Sequence, residues 1–227
     1  MAVLILASVF VGFAPTYYLA GLFRAPLANR FLHIHGAVFT CWIILLIVQA
    51  SLIAAGRADV HRRLGIFGFG LACLMAILGL LVATDSLARH GAPSAAGAEG
   101  RAFYAIPVTG ILTFATLIYF AFRNRFNPAA HKRLILIATI AILDAAFDRW
   151  PVPVGWWGPH ATSLLCVLPL LLLIMAYDYW STGKVLRVTL WASLFVIAEQ
   201  PLRFPLGRSI PFQTFAAWMQ THSTTFH

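Results

Sequence analysis

The sequence predicts an all-α membrane protein, a bundle of seven transmembrane helices. The first observation is composition: of 227 residues, 61% are hydrophobic and only 10% are charged, whereas roughly 25% of the residues of a soluble domain are charged. The second is that the apolar residues gather into seven runs, most of which approach the roughly 20 residues that a helix needs to cross the hydrocarbon core. So few polar side chains cannot cover a soluble particle of this size, and lipid must be the outer solvent.

The seven runs are separated by connections that contain most of the basic residues. The first run lacks a basic n-region and is too long for the h-region of a signal peptide, so we interpret it as a retained helix. The fifth and seventh are short, and they reach spanning length only if basic ends such as Lys132, Arg133 and Arg187 extend to the interface. The runs extend from about Ala2 to Phe23, His35 to Ala55, Leu64 to Thr84, Phe103 to Phe122, Leu134 to Phe147, Ala161 to Tyr179 and Val185 to Ala198.

We expect one transmembrane domain, residues 1–200, followed by a C-terminal tail, residues 201–227. The longest connection runs from Asp85 to Arg101 and contains a flexible small-residue segment. In the tail, apolar residues follow the i, i+3, i+4, i+7 spacing, which favours a short helix lying on the membrane; a loosely ordered tail is the alternative. The spaced residues are Phe212, Phe215, Ala216 and Met219.

The formal charge of +9 has a topological explanation. Nine of the sixteen Lys and Arg lie in the even-numbered connections, which predicts that the N-terminus lies in the cytoplasm and the C-terminus outside. Lipid is therefore the expected acidic partner, and a nucleic-acid module is excluded. Cys41, Cys73 and Cys166 lie in separate apolar runs, which excludes a disulfide framework or a Cys-x-x-Cys site.

A polar stripe on the second run is the first candidate for chemistry. His35, Trp42 and Gln49 are spaced by seven residues, and residues seven apart on an α-helix lie within about 20° of each other. Polar groups in a lipid-solvated helix must face the bundle interior, where they contact a ligand or make interhelical hydrogen bonds. Both interpretations stay open at this point.

A second candidate is a repeated pattern before the third and fifth runs. The segments 57–64 and 125–134 each place a histidine, His61 and His131, beside basic residues at a helix entrance on the same predicted face. This pattern indicates a duplicated helix-loop-helix unit. The alternative is that basic clusters at helix entrances are ordinary topology signals.

The opposite face holds His33, His35 and His160, together with Asp144 and Asp148, which lie four residues apart on one helix face. An acid within a membrane span is a functional candidate by default, so Asp144 is the predicted catalytic residue. The alternative is a structural ion pair of Asp144 with Arg149, Arg203 or His160.

The histidines therefore form two sets on opposite faces, and they suggest three kinds of cofactor. Two imidazoles from different helices can axially ligate haem b, so His61 with His131, and His33 or His35 with His160, could make a transmembrane electron path. A mononuclear metal on His33, His35, His160 and Asp148 is a variant. A quinone bound by the same histidines is a third.

The pattern of residues 33–65 resembles that of uncharacterised bacterial multi-pass membrane proteins. The resemblance extends through the segments 130–134, 148–151 and 199–203, and it implies a multi-pass protein of the bacterial cytoplasmic (inner) membrane. A looser likeness to the cytochrome b561 group rests on histidines at two membrane faces and implies haem. The residues that carry the pattern are His35, Gly36, Trp42, Gln49, Arg57, His61, Arg62, Leu64 and Gly65.

The leading functional hypothesis is a redox protein that binds haem b, quinone or a metal through these histidines and Asp144. Two alternatives come from other classes: a non-catalytic accessory subunit of a larger membrane complex, and a small-molecule transporter. Transport has little support, because no span carries paired Gly or Pro interruptions in matching halves.

Overall fold

The computed structural model describes residues 1–24, 30–90, 95–150 and 159–223, and within these ranges the protein is all-α, without a strand. Side chains are described for these residues except for 90, 95–96 and 159–164. The helices are α1 (Ala2–Phe13, continued by a π-helical segment, Ala14–Tyr18), α2 (Arg30–Ala54), α3 (Ala58–His90), α4 (Ala95–Arg123), α5 (Pro128–Ala141), α6 (Asp144–Phe147), α7 (Pro159–Thr182), α8 (Arg187–Arg208) and α9 (Ile210–His222).

Four of these helices contain segments that are long and apolar enough to cross a membrane: Arg30–Ala54, Ala58–Arg89, Gly97–Arg123 and Leu165–Thr182. Many large apolar side chains on the bundle surface are exposed, among them Phe67, Leu172 and Trp191. Such a surface is stable only against lipid or another apolar phase. The protein is therefore an all-helical membrane protein, with four of the seven expected spans identified by length and composition.

The other three expected spans lie where helices are short or polar. α5 ends at Ala141, and a tight turn at Ile142 and Leu143 separates it from α6. α5 is also the centre of the bundle: Ile137, Ala138 and Ile140 have no exposed surface, and it packs against α4, α7 and α8. A helix covered by protein in this way needs no long lipid-facing surface.

Local sequence signals place the entrances of α3, α5 and α8 at one end of the bundle. Gly56 and Gly183 have φ values of +72° and +71° in the turns before α3 and α8, a conformation that costs glycine little. At the start of α5, Asn127 accepts a hydrogen bond from the backbone N–H of Ala130 at 3.2 Å, and Pro128 occupies the first helical position. These turns bring His61 and His131 to the same end.

Two sequence boundaries differ from the structure. The expected connection from Asp85 to Arg101 is mostly helical, since α3 continues to His90 and α4 begins at Ala95. Asp85 is buried and paired with Arg89, four residues later, at 2.5 Å. Charged side chains ended the apolar run in the sequence, but a charge that pairs within the helix does not end the helix.

The expected tail begins inside a helix, because α8 continues through Pro201 to Arg208. The short helix that the spacing favoured is present as α9. Its Phe212, Ala216 and Met219 pack against the ends of α3 and α4 rather than facing outward, while Phe215 stays exposed. The apolar stripe of α9 thus covers protein surface.

Candidate functional site

A cavity of about 90 Å³ lies between α2, α3, α4 and α5, at the end of the bundle where α3 and α5 begin, and it is open on one side. His61 and His131 come from the first turns of α3 and α5, and Gln49 comes from the last turns of α2. We call this cavity the His–Gln pocket. Its lining residues are Trp42, Leu45, Leu46, Gln49, His61, Gly65, Gly68, Phe69, Ile118, Ala121, Phe122, His131 and Ile135.

The two imidazoles of the pocket contact each other edge to face, with ring centroids 6.3 Å apart. Nδ1 of His131 lies 2.9 Å from the carbonyl oxygen of Ala121, to which it can donate. The ring of His131 is therefore held in place by a backbone group on the neighbouring α4.

Two polar atoms of the pocket are buried without a hydrogen-bond partner, Nδ1 of His61 and Oε1 of Gln49. An unsatisfied polar atom at membrane depth is costly. Gly65 lies beside this amide, and a Cβ at this glycine would be 3.6 Å from Nε2 of Gln49, an ordinary van der Waals contact. The pocket therefore offers hydrogen-bonding capacity that the described protein atoms do not use.

The inner wall of the pocket is rigid and aromatic. Trp42 is buried, its Nε1–H donates to Oγ1 of Thr139 on α5 at 3.2 Å, and its ring packs edge to face on Phe114. Phe69 and Phe122 stack with centroids 4.2 Å apart. A flat apolar ring in the pocket would lie against aromatic surfaces and within the same lining as His61 and Gln49.

A second polar centre lies near the other end of the bundle. Asp144 is buried at the start of α6, where Oδ2 accepts from Nη1 of Arg203 and Oδ1 accepts from Nε2 of Gln200 at 3.2 Å. Arg203 also donates to Glu199, from Nε to Oε1 at 3.0 Å and from Nη2 to Oε2. Arg203 is among the partners that the sequence suggested for Asp144. Arg149 does not pair with Asp144, because its Nη1 donates to the carbonyl of Ala145 and its guanidinium lies over Phe13.

A third polar centre was missed in the sequence. Arg133, expected to extend to the interface, is buried and donates to Oδ1 of Asp178 on α7, from Nε at 2.6 Å. Oδ2 of Asp178 accepts from the backbone N–H of Leu186, at 3.2 Å, and from the hydroxyl of Thr189. The signal was the one that identified Asp144, an ionisable residue inside an apolar run.

The remaining candidate histidines do not join the His–Gln pocket. His33 is exposed and packs beside Tyr17. His35 stacks on Phe39 with centroids 4.2 Å apart, and its Nδ1 is buried without a partner. The stripe on α2 therefore divides: Trp42 and Gln49 line the pocket, while His35 lies farther along the helix, about 21 Å from Gln49 at 1.5 Å per residue.

The predicted metal set of His33, His35, His160 and Asp148 is only partly described, because the side chain of His160 lies outside the described residues. Among those that are described, no three His, Cys, Asp or Glu side chains are close enough to hold a metal ion. A haem pair made with His160 likewise lies outside the described residues, because it includes the same side chain.

Comparison of the chain with protein-family models, curated proteins and solved structures gave no match. The two resemblances drawn from sequence patterns therefore stay predictions. Function has to be argued from the His–Gln pocket and the buried ion clusters themselves.

Proposed function

We propose that this chain is a seven-span protein of the bacterial cytoplasmic membrane that binds a quinone-class redox lipid in the His–Gln pocket. The observation that carries the proposal is the pair of unpartnered buried atoms, Nδ1 of His61 and Oε1 of Gln49, at one end of an otherwise apolar cavity. A ligand with a polar group on an apolar ring would satisfy both atoms.

A quinone suits these groups because both the ligand and the pocket can donate or accept. The carbonyl oxygen of a quinone accepts hydrogen bonds, whereas the hydroxyl of the reduced quinol also donates one. An imidazole nitrogen is a donor or an acceptor according to its tautomer, and a glutamine amide contains both kinds of group. His61, His131 and Gln49 can therefore bind either redox state, and the isoprenoid tail would leave through the open side.

The size of the pocket also supports a single ring. An apolar cavity of about 150 Å³ holds benzene, and the His–Gln pocket, at about 90 Å³, is smaller, so part of a bound ring would lie in its open side. A porphyrin is several times larger.

Haem b ligated by His61 and His131 is the second candidate. The backbone contact at Nδ1 of His131 favours it, because metal-ligating histidines usually bond a carbonyl through the other ring nitrogen. The two rings contact each other directly, however, and a haem would have to separate them.

Seven crossings follow if three further segments span the membrane: α1 with its π-helical extension to Tyr18, α5 together with α6, and α8. In the orientation that the basic residues predict, the His–Gln pocket faces the cytoplasm and Asp144 lies toward the outside. α8 can span despite its charges because Glu199 and Arg203 are paired inside the bundle. Reporter fusions to each connection would test the count.

A binding titration tests the quinone proposal. The protein in lipid nanodiscs is titrated with decylubiquinone, and tryptophan fluorescence quenching is recorded. Gln49→Leu and His61→Leu should each weaken binding, by up to about tenfold, since a lost neutral hydrogen bond costs about 0.5–1.5 kcal/mol. His33 is an exposed histidine on α2, the helix that carries Gln49. His33→Leu is therefore the matched control, and this variant should bind decylubiquinone as the unmodified protein does.

The outcome also separates the alternatives. Saturable quenching that the two pocket variants weaken supports a quinone site. A sharp α band in the reduced spectrum that disappears in His131→Leu would replace quinone with haem. If the protein neither binds decylubiquinone nor shows a haem absorption band, the redox proposal is overturned and the accessory-subunit hypothesis is favoured. Co-purification of partner subunits would then test that hypothesis.

A further inference from the structure

The cluster of Asp144, Glu199 and Arg203 contains two carboxylates and one guanidinium. Glu199 accepts from Arg203 through both carboxylate oxygens, and Asp144 accepts from the same guanidinium through one oxygen. Arg203 is 4% exposed and Asp144 is 8% exposed. If both acids were ionised, the cluster would carry one net negative charge inside the bundle.

Among the residues whose side chains are described, no cation other than Arg203 forms an ion pair with Asp144 or Glu199. Asp148 and Arg149, the next charged residues of the chain, are exposed and opposite in sign, and residues 151–158 include no ionisable side chain. α1, which packs on α6, has no charged side chain either. Other ionisable groups at this end include the Cys166 thiol on α7, Arg101 on α4 bonded to Gln213, and Glu99 on α4 facing Arg208 at 3.7 Å. They also include Arg24 before α2, Arg30, His33 and His35 on α2, Asp85 paired with Arg89 on α3, and His160, whose side chain lies outside the described residues.

We propose that this cluster is a proton-binding site, which holds one exchangeable proton shared between Asp144 and Glu199 near neutral pH. Two carboxylates that share one site cannot both ionise easily, and an uncompensated charge in a low-dielectric interior is expensive. One bound proton leaves one carboxylate opposite one guanidinium, which makes the cluster neutral. The inference does not depend on the quinone proposal.

The hydrogen bonds indicate that Asp144 holds the proton. Glu199 receives the two-pronged donation from Arg203, which favours its ionised form. Asp144 receives one bond from Arg203 and one from the amide of Gln200. If that amide turns over, its carbonyl accepts from a protonated Asp144, so Gln200 can bond either state.

Asp148 provides a route to water. It is exposed and lies one helical turn beyond Asp144, and its backbone N–H donates to the carbonyl of Asp144 at 2.9 Å. When Asp144 gives up its proton to the Asp148 carboxylate or to water, an O–H bond breaks at Asp144 and one forms at the acceptor. No electron or other reactant is involved. In the predicted orientation the exchange takes place at the outer face.

Infrared spectroscopy of the full-length protein in nanodiscs tests the site. A protonated carboxyl group has a C=O stretch above the amide bands that shifts in D₂O, and we expect one such band near neutral pH. Asp144→Asn and Glu199→Gln should each abolish it, because either change leaves one carboxylate for one guanidinium. Asp59→Asn, at an exposed aspartate paired with Arg57, is the matched control and should leave the band unchanged, whereas Asp148→Asn should keep the band and slow its exchange.

The single changes distinguish a shared proton from an ordinary acid. If the band is lost in both Asp144→Asn and Glu199→Gln, the shared site is established. A band that disappears in only one of them, or that persists in both, overturns it, as does the absence of any such band in the unmodified protein. Both substitutions keep the side-chain volume, and circular dichroism confirms that each variant is folded before its spectrum is interpreted.

Discussion

Two buried ion clusters lie near opposite ends of the bundle, and they differ in how completely their charges are matched. Arg133 faces one carboxylate, Asp178, whose second oxygen accepts from Thr189 and from the N–H of Leu186. Arg203 faces two carboxylates, Asp144 and Glu199. The first cluster is neutral and fully hydrogen-bonded, as a structural element requires, and the second is neutral only with a bound proton.

The comparison shows that burial of an acid does not by itself indicate function. Asp178 has no exposed surface and is more buried than Asp144, yet the hydrogen bonds of its carboxylate join α7 to α5 and to the start of α8. Its role is to fix the start of α8. The rule that an ionisable residue inside a membrane span is a functional candidate thus identifies both acids. The number of carboxylates that face each arginine separates the structural candidate, Asp178, from the functional one, Asp144.

The largest expected effect is that of Asp178→Asn, which leaves Arg133 buried without a counter-ion. Removing one partner of a buried pair costs about 3–5 kcal/mol, and we expect that loss of unfolding free energy in detergent. Asp59→Asn, in an exposed pair with Arg57, should change stability by less than about 1 kcal/mol. A double change, Arg133→Met with Asp178→Leu, should recover most of the loss. A small effect of Asp178→Asn would remove the distinction between the clusters.

Thr189→Val should have the next largest effect. The change keeps the side-chain shape and removes a hydrogen bond to a buried carboxylate, which is worth about 1.5–3 kcal/mol. Thr214→Val is the control, since Thr214 is exposed and bonds only within its own helix. In the Asp178→Asn background, Thr189→Val should cost much less, and full additivity in this double-mutant cycle would contradict the network.

Close backbone packing supports the Asp144 cluster, and Gly12→Ala tests it. A Cβ at Gly12 on α1 would lie 2.3 Å from the carbonyl oxygen of Ala146 on α6, so the two elements must move apart. Overpacking of this kind costs about 1–3 kcal/mol. Gly70→Ala on α3, where nothing lies within 4 Å, is the matched control and should not destabilise the protein. Equal melting temperatures for the two variants would show that α6 does not depend on α1.

Much of the fold could be predicted from the sequence, because apolar runs mark helices that need lipid or protein around them. The residues at which the helices end could not be predicted. α3 and α8 continue past charged residues such as Asp85 and Glu199, since pairing four residues along a helix satisfies these charges. α5 can be short because neighbouring helices bury it. Hydropathy does not reveal whether protein or lipid surrounds an apolar helix.

The candidate sites were predictable in part, because the spacing of residues along a helix indicates which of them share a face or an end. The seven-residue spacing placed Trp42 and Gln49 on one face, and the repeated entrance pattern placed His61 and His131 at one end, where the structure brings all four to one pocket. The spacing could not exclude His35, because a helix face continues beyond any one cavity. Arg133 was missed because its sequence context is that of a topology signal, and only the fold turns its side chain toward Asp178.

The smallest effect is expected for Asp144→Asn, although it also replaces a buried aspartate. If Asp144 already carries a proton, the asparagine removes no net charge, keeps the volume, and can still bond Gln200, while Arg203 keeps its bonds to Glu199. We therefore expect the unfolding free energy to change by less than about 1 kcal/mol, compared with about 3–5 kcal/mol for Asp178→Asn. Both variants are measured by the same thermal melt in detergent, with Glu199→Gln as a third sample. Equal losses for Asp144→Asn and Asp178→Asn would mean that both acids are ionised structural partners, and the Asp144 cluster would then be a second structural element.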